Sequence, residues 1–558
     1  MMYLLQMRQS GKRKFCENAK TMLLGLVKCK KKGYNNMNRI GRSFGLPSFW
    51  RKAMRKFISM MLSLILVCLA VGGAYAETTF SMAGYDHEDT GHDWSTNLFF
   101  ERMKERSGVH LELTQYKTAD AWKAAKEQML SGSMALPDAF FKADFTPQET
   151  MKWLEAGKII DLKPYLEQYA PNLWALLNSN PVWMEAVTLP TGEIAALPSI
   201  DELQFNNAMW INQTWLNKAG LSVPTTADEL TEVLRVFKSR DMNSNGKTND
   251  EVPLTFSSLW DLRFLGHAFG INANDYHVTI DENGVVSEVL TSDANRALLT
   301  WLNQLWEEGL IDETGFSGLR DLSASTSSSD EEKEVIYGVM FASTPVSLVS
   351  NSAMKEYAVL DPLVYEGKQI YRDLTGDIIR GTFAITSACK DPAALVSWVD
   401  YLYTEEGFIL SEAGVADEEF YWNDDGTWLW DSASDSMIST VLADSTIRSG
   451  ISMPGYSSIP FQQKIDDAST QFIVNSLLRL KGYDELPYPM VYLTEEQQSR
   501  VDELILNISR YAEYQMVWFV AGDVELNDEN WQTFCKTVKE LGMDEMVSIW
   551  QTAADTQR

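Results

Sequence analysis

WINQTWLNKAGLSVPTTADELTEVLRVFKSRDMNSNGKTNDEVP, residues 210–253, carries three signals back to back. Trp210-Ile211-Asn212 closes an apolar-rich segment, and 215–220 predicts a short helix stopped by Gly220, the residue type best suited to the left-handed turn at a helix end. Thr226 follows a proline by two residues and has Glu229 three positions on, the pattern of a capping box opening a second helix. That helix runs into 241–251, a loop crowded with carboxylate and amide oxygens.

On either side of this stretch the chain alternates between strand and helix patterns. Residues 78–82 predict a first strand, 97–106 a helix ending near Gly108, 109–113 a strand, 119–130 a helix and 135–141 a short apolar strand. A helix over 165–177 and a strand over 192–198 follow. Later, 381–386 predicts a strand, and Lys390-Asp391-Pro392 opens a helix reaching Tyr401-Leu402-Tyr403. Alternation of this kind implies βα units and a parallel sheet. With 558 residues the chain is too long for one core, so at least two lobes are expected. Trp301, Trp306, Trp398 and Trp518 lie in helical patterns and are expected in the core.

These pieces, in this order, resemble the extracellular solute-binding proteins of carbohydrate ABC transporters, the large oligosaccharide-binding kind. The resemblance rests on Gly192-Glu193-Ile194-Ala195-Ala196-Leu197-Pro198, the Trp-x-Asn at 210–212, Trp215-Leu216 with Lys218 and Gly220, and Pro224-Thr225-Thr226 with Glu229. Further on it rests on Lys390-Asp391-Pro392, Tyr401-Leu402-Tyr403 with Glu406-Gly407, and the aromatic segments around Phe519, Trp531 and Trp550. It covers 77–558. It implies an α/β, two-lobed, periplasmic-binding-protein-like type II fold with an interlobe ligand cleft. Lobe 1 would be 77–198 plus 356–403, and lobe 2 would be 199–355 plus 404–558. It implies capture of an oligosaccharide outside the cell, as a monomer, for ABC transporter permease subunits, with no chemistry done by this chain.

Charge is uneven. Residues 1–53 hold 13 Lys and Arg against one acid, whereas 77–558 hold 33 against 76, a net of −43. So acidic a body repels nucleic acid and suits a neutral or cationic ligand better than a phosphate. Met54-Arg55-Lys56, a mainly apolar run of 14 residues over 57–70, and Ala74-Tyr75-Ala76 read as a signal peptide over 54–76, cleaved after Ala76. Residues 1–53 then read as a mis-called upstream extension. Val67 before Cys68 departs from a lipobox. Cys389 and Cys535, the cysteines outside the leader, leave a single bridge or two buried thiols open.

Residues 241–251 follow an EF-hand template at Asp241, Asn243, Asn245 and Gly246, with Lys247 where a main-chain carbonyl serves; Val252 stands where the template has its closing glutamate. Calcium wants six to eight hard oxygens, and alternating residues of a tight loop can turn them inward. A structural Ca2+ held by Asp241, Asn243, Asn245, Lys247, Asn249, Asp250 and Glu251 is expected. The resemblance implies an acidic pair near the loop's end, which Asp250 and Glu251 supply. No HExxH, GxSxG or CxxC occurs. His87 and His92, among Asp86, Glu88, Asp89 and Asp93, read as a polar loop in preference to a metal site.

Sugar rings expose apolar C–H faces on which flat aromatics stack, while acids and amides hold the hydroxyls. Ligand groups gather on loops and at clefts. The ligand candidates are Trp94 after the first strand, Asp201 and Glu202 in the crossover, Trp260 and Arg263 after a strand, and Trp422, Trp428 and Trp430 around a turn. Two other readings stay open: a binder of peptides or other small nutrients on the same fold, and a secreted glycoside-processing enzyme.

Overall fold

In β1 (Thr78–Tyr85), Phe80 and Met82 enter one hydrophobic cluster while Ala83 and Tyr85 enter another. Both faces of the strand are therefore covered, as in the interior of an α/β sheet. The computed structural model describes residues 78–203, 207–256, 258–259, 261–316, 335–373, 376–430 and 442–557. The expected leader at 54–76, the extension at 1–53 and the candidate Trp260 lie outside them.

Helix α1 (Leu98–Ser107) starts on an Asn97 cap and stops at Gly108, whose φ of 73° is left-handed. After β2 (Val109–Tyr116) and α2 (Ala119–Ser131) comes β3 (Ala139–Phe141), all of it buried and parallel to β1. β1 and β3 approach so closely at Gly84 that a Cβ there would sit 1.6 Å from the Phe141 carbonyl oxygen. Helix α3 (Pro147–Glu155) carries a complete capping box between Thr146 and Glu149. The single helix expected over 165–177 is two, Lys163–Tyr169 and Pro171–Ser179. Pro171 cannot continue a helix but suits the first turn of a new one.

β4 (Leu197–Asp201) is the last strand before the chain crosses to a second sheet. There β5 (Ala208–Asn212) leads into α4 (Gln213–Ala219), ended by Gly220 at φ 71°, and α5 (Ala227–Ser239). The capping box expected at Thr226 is half formed. The Thr226 hydroxyl accepts from the Glu229 amide, but the Glu229 carboxylate takes the amide and hydroxyl of Thr225, at 2.8 and 2.7 Å. β6 (Val252–Phe256), α6 (Asp293–Glu307), β7 (Tyr337–Ala342) and β8 (Tyr357–Val359) complete this lobe's first pass. The chain returns as β9 (Ile378–Ile385), α7 (Pro392–Asp400), the hairpin β10 (Phe420–Trp422) and β11 (Trp428–Trp430), and β12 (Gly455–Ser457). It ends through α8 (Ile459–Gln462), α9 (Ala468–Leu480), α10 (Glu495–Ala521) and two further helices.

The first sheet has the order β12-β4-β9-β3-β1-β2 and the second β8-β5-β7-β6. Neither is purely parallel: β9 runs antiparallel to both its neighbours, and β5 to both of its own. Each sheet has its own core, giving two α/β lobes. The sheets correct the expected boundaries. β8, placed beforehand in lobe 1 (77–198 plus 356–403), pairs with β5 in the second sheet, Tyr357 opposite Asn212. β12, placed beforehand in lobe 2 (199–355 plus 404–558), pairs with β4 in the first, Gly455 opposite Ser199. The crossings therefore fall between β4 and β5, between β8 and β9, and after β12.

Trp301 and Trp398 are core and Trp306 packs against it, but Trp518 is 44% exposed. On α10 the inward positions are taken by Phe519 and Val520, which turns 518 to solvent. Cys389 and Cys535 are free thiols, half-buried.

Candidate functional site

At the carboxyl ends of the parallel strands β1 and β3, where open α/β sheets bind ligands, a buried polar network has formed. Asp86 follows β1, and Lys142 follows β3 at φ 49°. The Lys142 ammonium donates to Asp86 Oδ1 at 3.0 Å and to the Ser449 carbonyl at 2.7 Å. His92 Nδ1 lies 2.7 Å from Asp86 Oδ2, which also accepts from Trp94 Nε1 at 3.0 Å. Burial alone would raise the Asp86 carboxyl. The His92 hydrogen bond, the Lys142 charge and the Trp94 hydrogen bond bring it below the ordinary range. Burial pulls Lys142 down to about 8, against the opposing pull of Asp86. Trp94 is thus a core residue: 2% exposed, with Phe100 and Phe141 against its ring, it offers no open face to a sugar.

Asp201, the last residue of β4, and Glu202, the first residue past it, are positioned by α8. Glu202 accepts from the Tyr456 hydroxyl at 2.7 Å and from the Ile459 amide, at the start of α8, at 2.9 Å. Asp201 Oδ1 accepts from Gln462 Nε2 at 2.7 Å, at the far end of the same helix. The residues just beyond α8 hold the aromatic hairpin. The Trp428 amide donates to the Lys464 carbonyl and the Asp466 amide to the Trp428 carbonyl, each at 2.7 Å. Trp428 is fully buried, packed with Phe420 and Ile465, and is a structural wedge with no accessible ring face. Its neighbours differ. Tyr421 and Trp422 are 47% and 45% exposed, and Trp430 is half-buried with no hydrogen-bond partner for Nε1 among the described residues. The structure therefore brings Asp201 and Glu202 to α8 and Trp428 to the segment just beyond it, with Trp422 exposed and Trp430 half-buried on the same hairpin.

Arg263 is elsewhere, in the second lobe, where it meets Glu513 at 3.2 Å and Asp275 at 3.7 Å. It lines a mainly apolar cavity of about 80 Å³ shared with His277 and Arg372. Burial, then the charges of Arg263 and Arg372, hold His277 well below the usual imidazole range. Sequence reasoning missed Asp261, which accepts from the Asn207 side chain in the crossover and from the Ser258 amide. A carboxylate one residue past the Trp260 candidate, in a polar turn after a strand, was the available signal.

The loop at 241–251 is organised around its oxygens. Asp241 accepts from the amides of Asn245 and Gly246 at 3.1 and 2.9 Å, and Asn243 Oδ1 from Asn245 at 3.1 Å. Ser244 and Gly246 take left-handed φ values of 66° and 85°, which coil the loop tightly. Lys218 braces it from α4, donating to the carbonyls of Asp241 and Met242 at 2.6 and 3.0 Å. Asp250 Oδ2 accepts from Asn245 Nδ2 at 2.6 Å, while Asp250 Oδ1 and Glu251 Oε2 are buried with no hydrogen-bond partner among the described residues. Orphaned carboxylate oxygens are costly without a cation, so the donor chemistry fits a hard divalent ion. No three His, Cys, Asp or Glu side chains among the described residues are already grouped to hold a metal. Asparagine and main-chain oxygens would have to complete the shell. Lys247 and Asn249 are exposed, so Lys247 fits only through its carbonyl.

No protein-family model matches the chain. It is 27% identical over 492 residues to the fructooligosaccharide ABC transporter substrate-binding protein FusA of Streptococcus pneumoniae, covering 83% of this chain and 87% of that one. It is 32% identical over 173 residues, 29% of this chain and 32% of the other, to the lipoprotein LipO of Bacillus subtilis. Among solved structures, FusA with kestose superposes with a TM-score of 0.64 at 24% identity, over 86% of this chain and 99% of that one. A human-milk-oligosaccharide-binding solute-binding protein of Bifidobacterium longum infantis does so with a TM-score of 0.70 at 20% identity, over the same shares. FusA has also been solved as an EF-hand mutant with fructo-nystose. The chain is thus similar in sequence to FusA over most of its length, and similar in fold to solved solute-binding proteins.

Proposed function

We propose that this chain is the extracellular substrate-binding component of an ABC transporter, capturing an uncharged oligosaccharide for import. The observation that carries the reading is the relationship to FusA across 83% of the chain, on two lobes joined by three crossings. The acidic body favours neutral glycans over uronates or phosphates. In this reading Trp422 and Trp430 stack on sugar rings, and Asp201 and Glu202 belong to the crossover about which the lobes close. The chain does no chemistry of its own, and ATP hydrolysis belongs to partner subunits. A structural calcium ion sits in the 241–251 loop, held by Asp241, Asn243, Asn245, the Lys247 carbonyl, Asp250 and Glu251. There it braces α5 against β6, away from the sugar. The protein is exported by the signal at 54–76; no described helix is long and apolar enough to cross a membrane.

The test is a thermal-shift panel of fructo-, gluco-, galacto- and milk-type oligosaccharides, kestose among them, with peptides as controls and chromatography of the recovered glycan. A ligand at 100 times its Kd adds about 2.7 kcal/mol of stability, which for a chain of this length is a rise of about 2–3 °C. A glycan that shifts the melt and is recovered intact supports the reading. A flat glycan panel with a peptide hit overturns the cargo, and cleaved glycan overturns the binding role.

A further inference from the structure

Asp86, His92 and Lys142 are 0%, 2% and 0% exposed, yet the chain of contacts they begin ends on an exposed residue. His92 Nε2 lies 3.1 Å from the hydroxyl of Ser449, which faces solvent. Taking two ions fully out of water costs several kcal/mol each before their attraction repays it. Pinning a surface strap needs nothing so costly, because apolar contacts would do. The network also does more than pin. Lys142 fixes the Ser449 carbonyl at 2.7 Å while His92 fixes the hydroxyl, so main chain and side chain of one exposed serine are both oriented. The strap lies close: a Cβ at Gly450 would fall 2.6 Å from Thr90 Cγ2 and 3.1 Å from Asp86 Oδ1. All this stands at the carboxyl ends of β1 and β3, the edge at which an open α/β sheet receives ligand.

The hydrogen-bond polarity follows from donors and acceptors. Asp86 receives donors from Lys142 and Trp94 and acts as a carboxylate acceptor. The proton in the 2.7 Å contact is therefore carried by His92 Nδ1. In a neutral ring Nε2 is then the acceptor, so the Ser449 O–H must donate inward. What remains outward is the lone-pair side of Ser449 Oγ.

We propose that Ser449 is a ligand-contact residue for the oligosaccharide, presenting a hydrogen-bond acceptor to a sugar hydroxyl, with His92 as the positioning residue that sets this polarity. The assignment rests on the sugar-binding reading above. It adds a specificity element: the sugar position facing Ser449 must donate.

The experiment uses the panel glycan with the largest melting shift, kestose being tried first, together with its monofluorinated analogues, whose C–F can accept but cannot donate. In the wild type, one fluorinated position should weaken binding about three- to tenfold, the size of one lost hydrogen bond. Ser449→Ala should raise Kd for the parent sugar by the same factor with its melting temperature unchanged, and fluorination at that position should then cost nothing more. Ser449→Thr, which keeps the hydroxyl, should bind within twofold of wild type. His92→Phe removes the inner acceptor and frees the hydroxyl to turn outward, so the preference for hydroxyl over fluorine should weaken. A merely structural role for His92 would leave that preference unmoved. If the wild type binds a glycan and Ser449→Ala binds it equally well, the assignment fails and the transport reading stands. If the wild type binds no glycan, both fall. Covalent capture of Ser449 by a fluorophosphonate would overturn the assignment in favour of a nucleophile, since Asp86, His92 and Ser449 also stand in the order of a hydrolytic triad.

Discussion

Asp377 is the group whose replacement has the most distinctive expected signature. It enters β9 of the first sheet at a left-handed φ of 63°, a conformation asparagine tolerates well. Both its carboxylate oxygens meet Lys481 Nζ, at 2.6 and 2.8 Å, and Lys481 also meets Asp484 at 2.9 Å. Lys481 follows α9, whose Val474, Leu477 and Leu480 pack on Trp210 and Met340 of the second sheet, so the ion pair ties the two lobes. Burial raises the Asp377 carboxyl to about 7; Lys481 opposes this, and Asp373 and Asp484 reinforce it. A carboxyl raised in the folded state binds a proton there that the unfolded chain has already released. Its contribution to stability is therefore full below about pH 4 and is lost as pH rises through 7. From 3.8 to about 7 is some three units, a ceiling of about 4 kcal/mol, of which about 2 kcal/mol falls between pH 5 and pH 7. Asp377→Asn removes this titration. Asp484, also raised by burial, relaxes downward once its neighbour is neutral, so 2 kcal/mol is an upper figure. The assay is the difference in melting temperature between variant and wild type across pH 5–8, in which the many other carboxylates cancel. The variant should gain up to about 2 °C on the wild type between pH 5 and pH 7. Parallel curves would refute the reasoning.

Trp422→Ala should weaken binding of the panel glycan about fivefold, the worth of about 1 kcal/mol of aromatic contact. Because the ring is 45% exposed, the melting temperature of the free protein should hold within about 1 °C, and equal affinity in calorimetry would remove Trp422 from the site. Chelation of calcium-loaded protein should lower its melt by about 2–3 °C and leave an Asp250→Asn/Glu251→Gln variant unmoved; a metal analysis that finds no calcium, with no effect of chelator, would remove the ion. Gly84→Ala should force β1 and β3 apart, since its Cβ would overlap the Phe141 carbonyl at 1.6 Å. A loss above about 3 kcal/mol, seen as insoluble protein or a melt lowered by at least about 3 °C, is expected; a wild-type melt would show that the strands can separate there freely.

Local signals carried far into the structure. Gly220 ends α4, Thr226 caps α5 and Asp391 caps α7 as their sequence positions imply, because caps and left-handed turns are decided within four or five residues. The order of such signals also carried the two-lobed fold. The loop at 241–251 was legible for the same reason: its oxygens come from consecutive residues.

Which strand joins which sheet was not legible. β8 and β12 are three residues each, and nothing within three residues tells a strand whether its partner lies 150 or 250 positions upstream. The candidate site divided on the same ground. Tryptophans in polar surroundings look alike in sequence, but Trp94 and Trp428 were taken into cores by Asp86, Phe141 and Ile465, Trp430 was half-covered by the Trp428 cluster, and Trp422 stayed open. Ser449 gave no signal at all, since its orientation depends on Lys142 and His92, both more than 300 residues away. By itself the sequence determined most of the elements, their caps and the oxygen-rich loop at 241–251, because these are short-range, although the helix expected over 165–177 divides at Pro171 and the strand expected over 192–198 lies at Leu197–Asp201. Tertiary structure alone decided which polar and aromatic side chains are buried and which stay exposed, because burial and hydrogen-bond partnership are properties of neighbours distant along the chain.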